Sequence, residues 1–130
     1  DEALSVSDWF VIAAPRTPET LGLVDARRLS LMKKGAYLIA ISRGGIVDEE
    51  ALLKTLRSGH LAGAGLDVFA QEPLPEDSPL WDQENVIISP HTGHVTPEMP
   101  KGHRDVFKEN LRRFIAGEPF LYVGDKRTGY

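Results

Sequence analysis

Four short apolar runs in this 130-residue chain each end at residues able to do chemistry. Trp9-Phe10-Val11-Ile12-Ala13-Ala14 stops at Pro15, and Ala36-Tyr37-Leu38-Ile39-Ala40-Ile41 stops at Ser42-Arg43-Gly44-Gly45. Leu61 to Val68 closes around Asp67, with Glu72 a few residues on, and Val86-Ile87-Ile88 stops at Ser89-Pro90-His91. A guanidinium, two carboxylates and an imidazole thus stand just past the four runs. An imidazole titrates near neutrality, so it can both give and take a proton. A guanidinium offers a planar fork that matches two oxygens, which a lysine cannot copy. The set reads as a catalytic inventory.

Other chemistries fit less well. His91 and His94 are three apart and His103 follows, but zinc sites need a third ligand in place and, on helices, His-x-x-x-His or similar spacing. Gly93 implies a turn there, so no metal site is expected. Ser42 and Ser89 lie at run ends, yet no Gly-x-Ser-x-Gly elbow exists to raise a nucleophilic serine. His60 and His94 are expected to be exposed.

Between the apolar runs lie helical patterns that would position these residues. Asp25 to Lys34 carries Leu29 and Met32 among charges, and Gly35 suits the residue just past its end. Asp48 has the character of an N-cap, with Glu49 and Glu50 where the helix dipole favours acids. Ala51, Leu52, Leu53 and Leu56 form that helix's apolar face, and Ser58-Gly59 closes it. A long helix is expected from Thr96 to Ala116, ended by Gly117 and Pro119. Residues 70–83 are rich in Pro, Asp and Glu and read as a surface loop, with Gln71 to Gln83 shielding the site. Trp9 and Trp81 are expected in the core. The apolar runs are continuous rather than alternating, which suits strands buried on both faces of a parallel sheet. Strand and helix in turn give an α/β order with right-handed crossovers, and ligands of such sheets sit beyond the carboxyl ends of the strands.

Composition bounds the rest. Hydrophobic residues make up 42% and charged residues 26%, a globular rather than disordered profile. The net charge of −4 and the lack of a basic patch argue against nucleic acid, and no polybasic stretch or long apolar run suggests a membrane. Without cysteine there is neither a disulfide scaffold nor a thiolate metal site. The opening DEALSVSD is acidic and polar, unlike a signal peptide, and a cytoplasmic setting is the default expectation.

Three segments, in order, carry a resemblance: Ile41-Ser42-Arg43-Gly44-Gly45-Ile46-Val47-Asp48-Glu49, then Gly65-Leu66-Asp67-Val68-Phe69 with Glu72-Pro73, then Ser89-Pro90-His91-Thr92-Gly93. With Ala14-Pro15-Arg16-Thr17-Pro18-Glu19-Thr20 they resemble the D-isomer-specific 2-hydroxyacid dehydrogenases over nearly the whole chain. The resemblance implies a Rossmann-like, doubly wound parallel sheet, of which residues 1–117 would be the second half of the NAD(P)-binding domain. Residues 118–130 would be a tail returning to a substrate domain. It implies Arg43 as clamp on a substrate carboxylate, His91 as general acid and base, and Glu72 as the partner that orients the imidazole and favours its charged form. Asp67 would lie near the nicotinamide. Further cofactor contacts would come from Ala14, Pro15, Ile41, Ser42, Arg43, His91 and Gly93. The implied reaction is hydride transfer between NADH or NADPH and a small 2-oxo or 2-hydroxy acid, glyoxylate and hydroxypyruvate being examples.

No Gly-x-Gly-x-x-Gly follows any run. In the family that loop binds the pyrophosphate, and an acidic residue further on selects NAD over NADP. The chain is therefore expected to be part of a longer protein and inactive alone, with an open sheet edge at Trp9–Ala13 that favours a homo-oligomer such as a dimer. The competing class is a dinucleotide-sensing corepressor of the same fold, since such relatives can keep the Arg43, Glu72 and His91 triad. Relatives acting on formate carry Gln where this chain has Glu72.

Overall fold

The computed structural model describes residues 1–127; Thr128-Gly129-Tyr130, the end of the expected tail, lie outside the described residues. Along the chain run α1 (Glu2–Val6), β1 (Trp9–Ile12), α2 (Ala26–Leu31), β2 (Tyr37–Ala40), α3 (Glu49–Arg57), β3 (Gly63–Leu66), β4 (Val86–Ile88) and α4 (Met99–Ala116). The strands form one parallel sheet in the order β1-β2-β3-β4. The strand order never reverses, and right-handed crossovers made in one direction put their helices on one side. Asp25 and Asp48 start α2 and α3 by accepting the amides of Arg28 and Ala51 at 2.8 and 3.0 Å.

The register assigns each strand residue to a face. Phe10, Leu38, Ala64 and Val86 are neighbours across the sheet, as are Ile12, Ala40, Leu66 and Ile88. This face packs with Leu4 of α1, Leu29 of α2 and Leu52 and Leu56 of α3 in one continuous core. The opposite face carries Trp9, Val11, Tyr37 and Ile87, all exposed, with Ile87 at 78%. The expectation of strands buried on both faces is thus corrected within Asp1–Gly93: α1 to α3 all serve one face and none of them covers the other. Trp9 is not a core residue either. It is 60% exposed and stacks on Tyr37, with ring centroids 4.2 Å apart, across the β1–β2 pair on the open face.

Other boundaries shift for local reasons. α2 ends at Leu31, and Gly35 takes its positive φ of 84° in the turn beyond, donating its amide to the His60 carbonyl at 2.7 Å. His60 is half-buried rather than exposed, its Nε2 lying 2.9 Å from the Met32 carbonyl. α1 was not foreseen. α4 begins at Met99, three residues later than expected, because Thr96 is already used in a turn with Met99.

The chain forms two compact units, Asp1–Gly93 and the segment from His94 onward. The second contains α4, closed by Gly117 at φ 65°. Within it Asn110 holds the backbone of Leu121 from both sides, at 2.8 and 3.2 Å, and Phe114 stacks with Phe120. No described helix is long and apolar enough to cross a membrane.

Candidate active site

The site lies at the carboxyl ends of the strands, where three loops are pressed together. Gly44 follows β2 and runs against the chain that leaves β3. A Cβ built on Gly44 would lie 1.6 Å from the Phe69 carbonyl oxygen, so only glycine fits. This contact brings Arg43 to the loop that carries Glu72. Arg43 is exposed, and its Nη1 donates to the Ser42 carbonyl at 2.7 Å.

Glu72 is held from two sides. One carboxylate oxygen accepts the Phe69 amide at 2.9 Å and the other lies 2.8 Å from Nδ1 of His91. Nε2 of His91, the opposite nitrogen, lies 3.5 Å from Nη1 of Arg43. The structure therefore unites Arg43, Glu72 and His91, as the resemblance implies. With Nδ1 committed to the carboxylate, Nε2 is the nitrogen that faces the guanidinium and can exchange a proton with a bound molecule. The His91 and Glu72 side chains keep 31% and 35% exposure, enough for a ligand to reach them. Hydrogen bonding from His91, then from the Phe69 amide, holds the Glu72 carboxyl below its ordinary range against the opposing effect of burial.

Asp67 does something that sequence reasoning missed. It is 4% exposed and accepts three hydrogen bonds: from the Ser89 hydroxyl at 2.6 Å and from the Thr92 and Gly93 amides at 2.9 Å each. These donors bracket His91, whose φ of 56° lies in the left-handed region that non-glycine residues rarely adopt. A buried carboxylate thus clamps the turn that aims the imidazole. Gly93 is needed because a Cβ there would lie 2.9 Å from the Asp67 carboxylate. Burial alone would push the Asp67 carboxyl up, but Ser89, the Gly93 and Thr92 amides and the charge of His91 together hold it below its ordinary range. The legible signal was a Ser and a Gly spaced evenly about the histidine.

Asp67→Ala is expected to cost about 1–3 kcal/mol, below the full penalty for three buried donors because the Ser89, Thr92 and Gly93 donors are only partly buried. Urea unfolding as a function of pH checks this. Asp67 and Glu72 are both depressed in the folded state, so the unfolded chain binds more protons through the ordinary carboxylate range. Their stabilisation is full above that range and is lost as pH falls through the folded values. The Asp67→Ala protein is expected to show a shallower acid loss; a slope equal to that of the parent would contradict the assigned role.

The residues assigned to a dinucleotide meet at the same edge. Ala14 and Pro15 follow β1, Ile41 and Ser42 follow β2, and His91 and Gly93 follow β4. Ile41 is exposed, and the Pro15 carbonyl accepts the Thr20 hydroxyl at 2.7 Å. The buried Ser42 hydroxyl has no hydrogen-bond partner among the described residues, a polar group that a bound ligand could satisfy. That unsatisfied hydroxyl, at the carboxyl ends of parallel strands, fits a polar ligand such as a dinucleotide. The pyrophosphate end finds no glycine-rich loop in this sequence. Both oxygens of Asp67 are already engaged by Ser89, Thr92 and Gly93.

Trp81 also departs from expectation. It is 52% exposed rather than core, with Nε1 donating to the Pro75 carbonyl at 2.8 Å. Its ring lines a cavity beside His91, together with Leu74 of the 71–83 loop.

A parallel α/β sheet with an imidazole, a carboxylate and a guanidinium gathered at its carboxyl edge is the architecture of a Rossmann-like dinucleotide-binding domain. The family described as D-isomer specific 2-hydroxyacid dehydrogenase, NAD binding domain, matches residues 1–93, and the chain belongs to it. Among curated relatives, a glyoxylate reductase of Thermococcus onnurineus is 44% identical over 118 residues, which is 91% of this chain and 35% of that protein. A D-3-phosphoglycerate dehydrogenase of Mycobacterium leprae is 42% identical over 118 residues, 22% of its length. The chain thus spans about a third or less of these two relatives. Of the solved structures, a D-isomer specific 2-hydroxyacid dehydrogenase from Xanthobacter autotrophicus Py2 in complex with NADPH and MES is 47% identical with a TM-score of 0.89, covering 99% of this chain and 54% of that one.

Proposed function

We propose that this chain supplies the catalytic part of an NAD(P)-dependent dehydrogenase that interconverts a 2-oxo acid and a D-2-hydroxy acid, as one portion of a longer protein. In this reading residues 1–117 contribute to the cofactor domain and residues 118–130 return toward a substrate domain, in a cytoplasmic protein. The observation that supports it most is the imidazole held between two groups, Glu72 at 2.8 Å on one nitrogen and Arg43 at 3.5 Å from the other. Arg43 binds the substrate carboxylate. His91, through Nε2, donates a proton to the carbonyl oxygen during reduction and withdraws it from the hydroxyl during oxidation. Glu72 keeps the ring oriented and balances its charge, and Asp67 fixes the turn. NADH or NADPH, when bound, supplies the hydride.

The test is turnover. A protein containing this chain together with a glycine-rich phosphate loop is expected to oxidise NADH or NADPH when given a 2-oxo acid such as glyoxylate or hydroxypyruvate. The 130 residues alone are expected to show none, since they contain no Gly-x-Gly-x-x-Gly. Rapid turnover by the short chain would contradict this division of labour. Cofactor binding without turnover by the longer protein would favour the corepressor-like alternative.

A homo-oligomer is part of the same proposal. β1 pairs only with β2 among the described strands, and its Trp9 and Val11 are exposed. Such an edge invites a second strand. Sedimentation is expected to show association that rises with concentration and weakens in Trp9→Lys; a monomer throughout would refute it.

A further inference from the structure

We infer that Glu49 is a positioning residue for the Glu72–His91 pair: its carboxylate ties the loop that carries Glu72 to the first turn of α3. The inference rests on the acid–base reading above and adds a residue to it. Oε1 of Glu49 accepts the Ala70 amide at 2.5 Å, across 21 residues of sequence. Among the described residues, the backbone of residues 70–73 makes no other hydrogen bond.

The surroundings show why that single bond carries the loop. The Phe69 amide is donated to Glu72, but the two residues lie three apart on the same loop, so this bond fixes the carboxylate to its own loop and not to the sheet. Upstream the chain is anchored, with Phe69 buried and its carbonyl lying against Gly44. Beyond that anchor the chain runs into solvent, and Ala70, Gln71, Glu72 and Pro73 are all exposed. Glu49 supplies the tie there from a firm support, because Asp48 caps α3 and Leu52, Leu53 and Leu56 bury the helix in the core. It also borders, with Arg43, Gly44 and Val68, a small gap between the same loops. Glu49 thus links the helix that follows the Arg43 loop to the loop that carries Glu72, and through Glu72 it orients the imidazole 2.8 Å away.

The competing role for Glu49 is purely helical: an acid in the first turn of α3 is favoured by the helix dipole wherever its tip points. Two variants separate the roles. Glu49→Asp keeps the charge at the helix end but is too short to reach Ala70. Glu49→Gln gives up the charge but keeps the length and a carbonyl acceptor. Ala70 is exposed, so water takes over its amide when the bond is lost, and the urea midpoint of both variants is expected to stay close to that of the parent.

In NMR spectra of the 130-residue chain, Glu49→Asp is expected to shift the Ala70 amide and His91 imidazole resonances, whereas Glu49→Gln leaves those of His91 near the parent positions. In the longer protein with the glycine-rich loop, Glu49→Asp is expected to lower kcat about tenfold with little change in KM, since a misplacement of about 1 Å can cost about 10²-fold. The acid limb of D-2-hydroxy acid oxidation is expected to move to lower pH, because a carboxylate that no longer faces Nδ1 squarely favours the imidazolium less. Glu49→Gln is expected to recover most of the loss. If Glu49→Asp behaves as the parent and Glu49→Gln does not, Glu49 acts through charge at the helix end and the inference fails. It fails equally if neither variant moves the His91 resonances, whatever the turnover. If those resonances follow the expected pattern while the longer protein turns over no 2-oxo acid, the positioning role stands and the dehydrogenase reading falls.

Discussion

Gly44→Ala is expected to destabilise the chain by about 3 kcal/mol or more, because its methyl group has nowhere to go. A Cβ at that position would sit 1.6 Å from the Phe69 carbonyl oxygen and 2.1 Å from its carbon, and both are backbone atoms that cannot swing aside. Overpacking of a mobile side chain costs about 1–3 kcal/mol, and a clash with fixed backbone falls at or beyond the top of that range. The loops after β2 and β3 must separate to admit the methyl, which carries Arg43 away from Glu72 and His91. Two readouts follow from one change. The urea midpoint is expected to fall with little change in the denaturant slope, and the His91 imidazole resonances are expected to lose their sensitivity to Arg43→Lys. By contrast, alanine at Gly102, inside α4 and facing open space, is expected to stabilise by about 0.5–1 kcal/mol. Equal midpoints for the two variants would show that the close approach of the two loops is not what holds the site together.

His91→Gln, in a protein that contains this chain and turns over, is expected to lower kcat by about 10²–10⁴. Glutamine keeps a polar side chain of similar reach but cannot carry a proton through the pH range in which imidazole does. Arg43 is untouched, so KM is expected to change much less than kcat, the pattern of an interaction made chiefly in the transition state. Glu72→Gln provides the comparison. It preserves an acceptor 2.8 Å from Nδ1 but removes the charge, so its kcat is expected to fall less and its acid limb of the pH–rate profile to move. Should His91→Gln reduce KM and kcat in proportion, or leave both intact, the acid–base role would be wrong.

The chemistry-bearing residues were legible because their positions follow from local rules. Runs of apolar residues stopped by Pro15, Ser42, Asp67 and Ser89 mark strand ends, and ligands of a parallel sheet sit at such ends. Asp48, Glu49 and Glu50 announced α3 through capping and the helix dipole, both effects that act within one turn. The motifs around Arg43, Glu72 and His91 then named the family, which the match over residues 1–93 bears out.

Tertiary structure decided what depends on neighbours distant in sequence. Continuous apolar runs state that a strand can be buried on both faces, not that a helix is present to cover each. Here α1, α2 and α3 share one face, so Trp9 became a stacked surface ring and Ile87 an open one. Trp81 has the composition of a core residue, yet a single hydrogen bond to Pro75 holds it at the wall of a cavity. Asp67 shows the difference most plainly. Its type and place suggest a group near a cofactor; that its oxygens also accept the Thr92 and Gly93 amides, 25 and 26 residues further on, is a second role that local sequence does not announce. A sequence specifies residue types and local backbone preferences; which buried donors find a given carboxylate is determined only when the loops close on one another, because an unpaired buried group is too costly to leave.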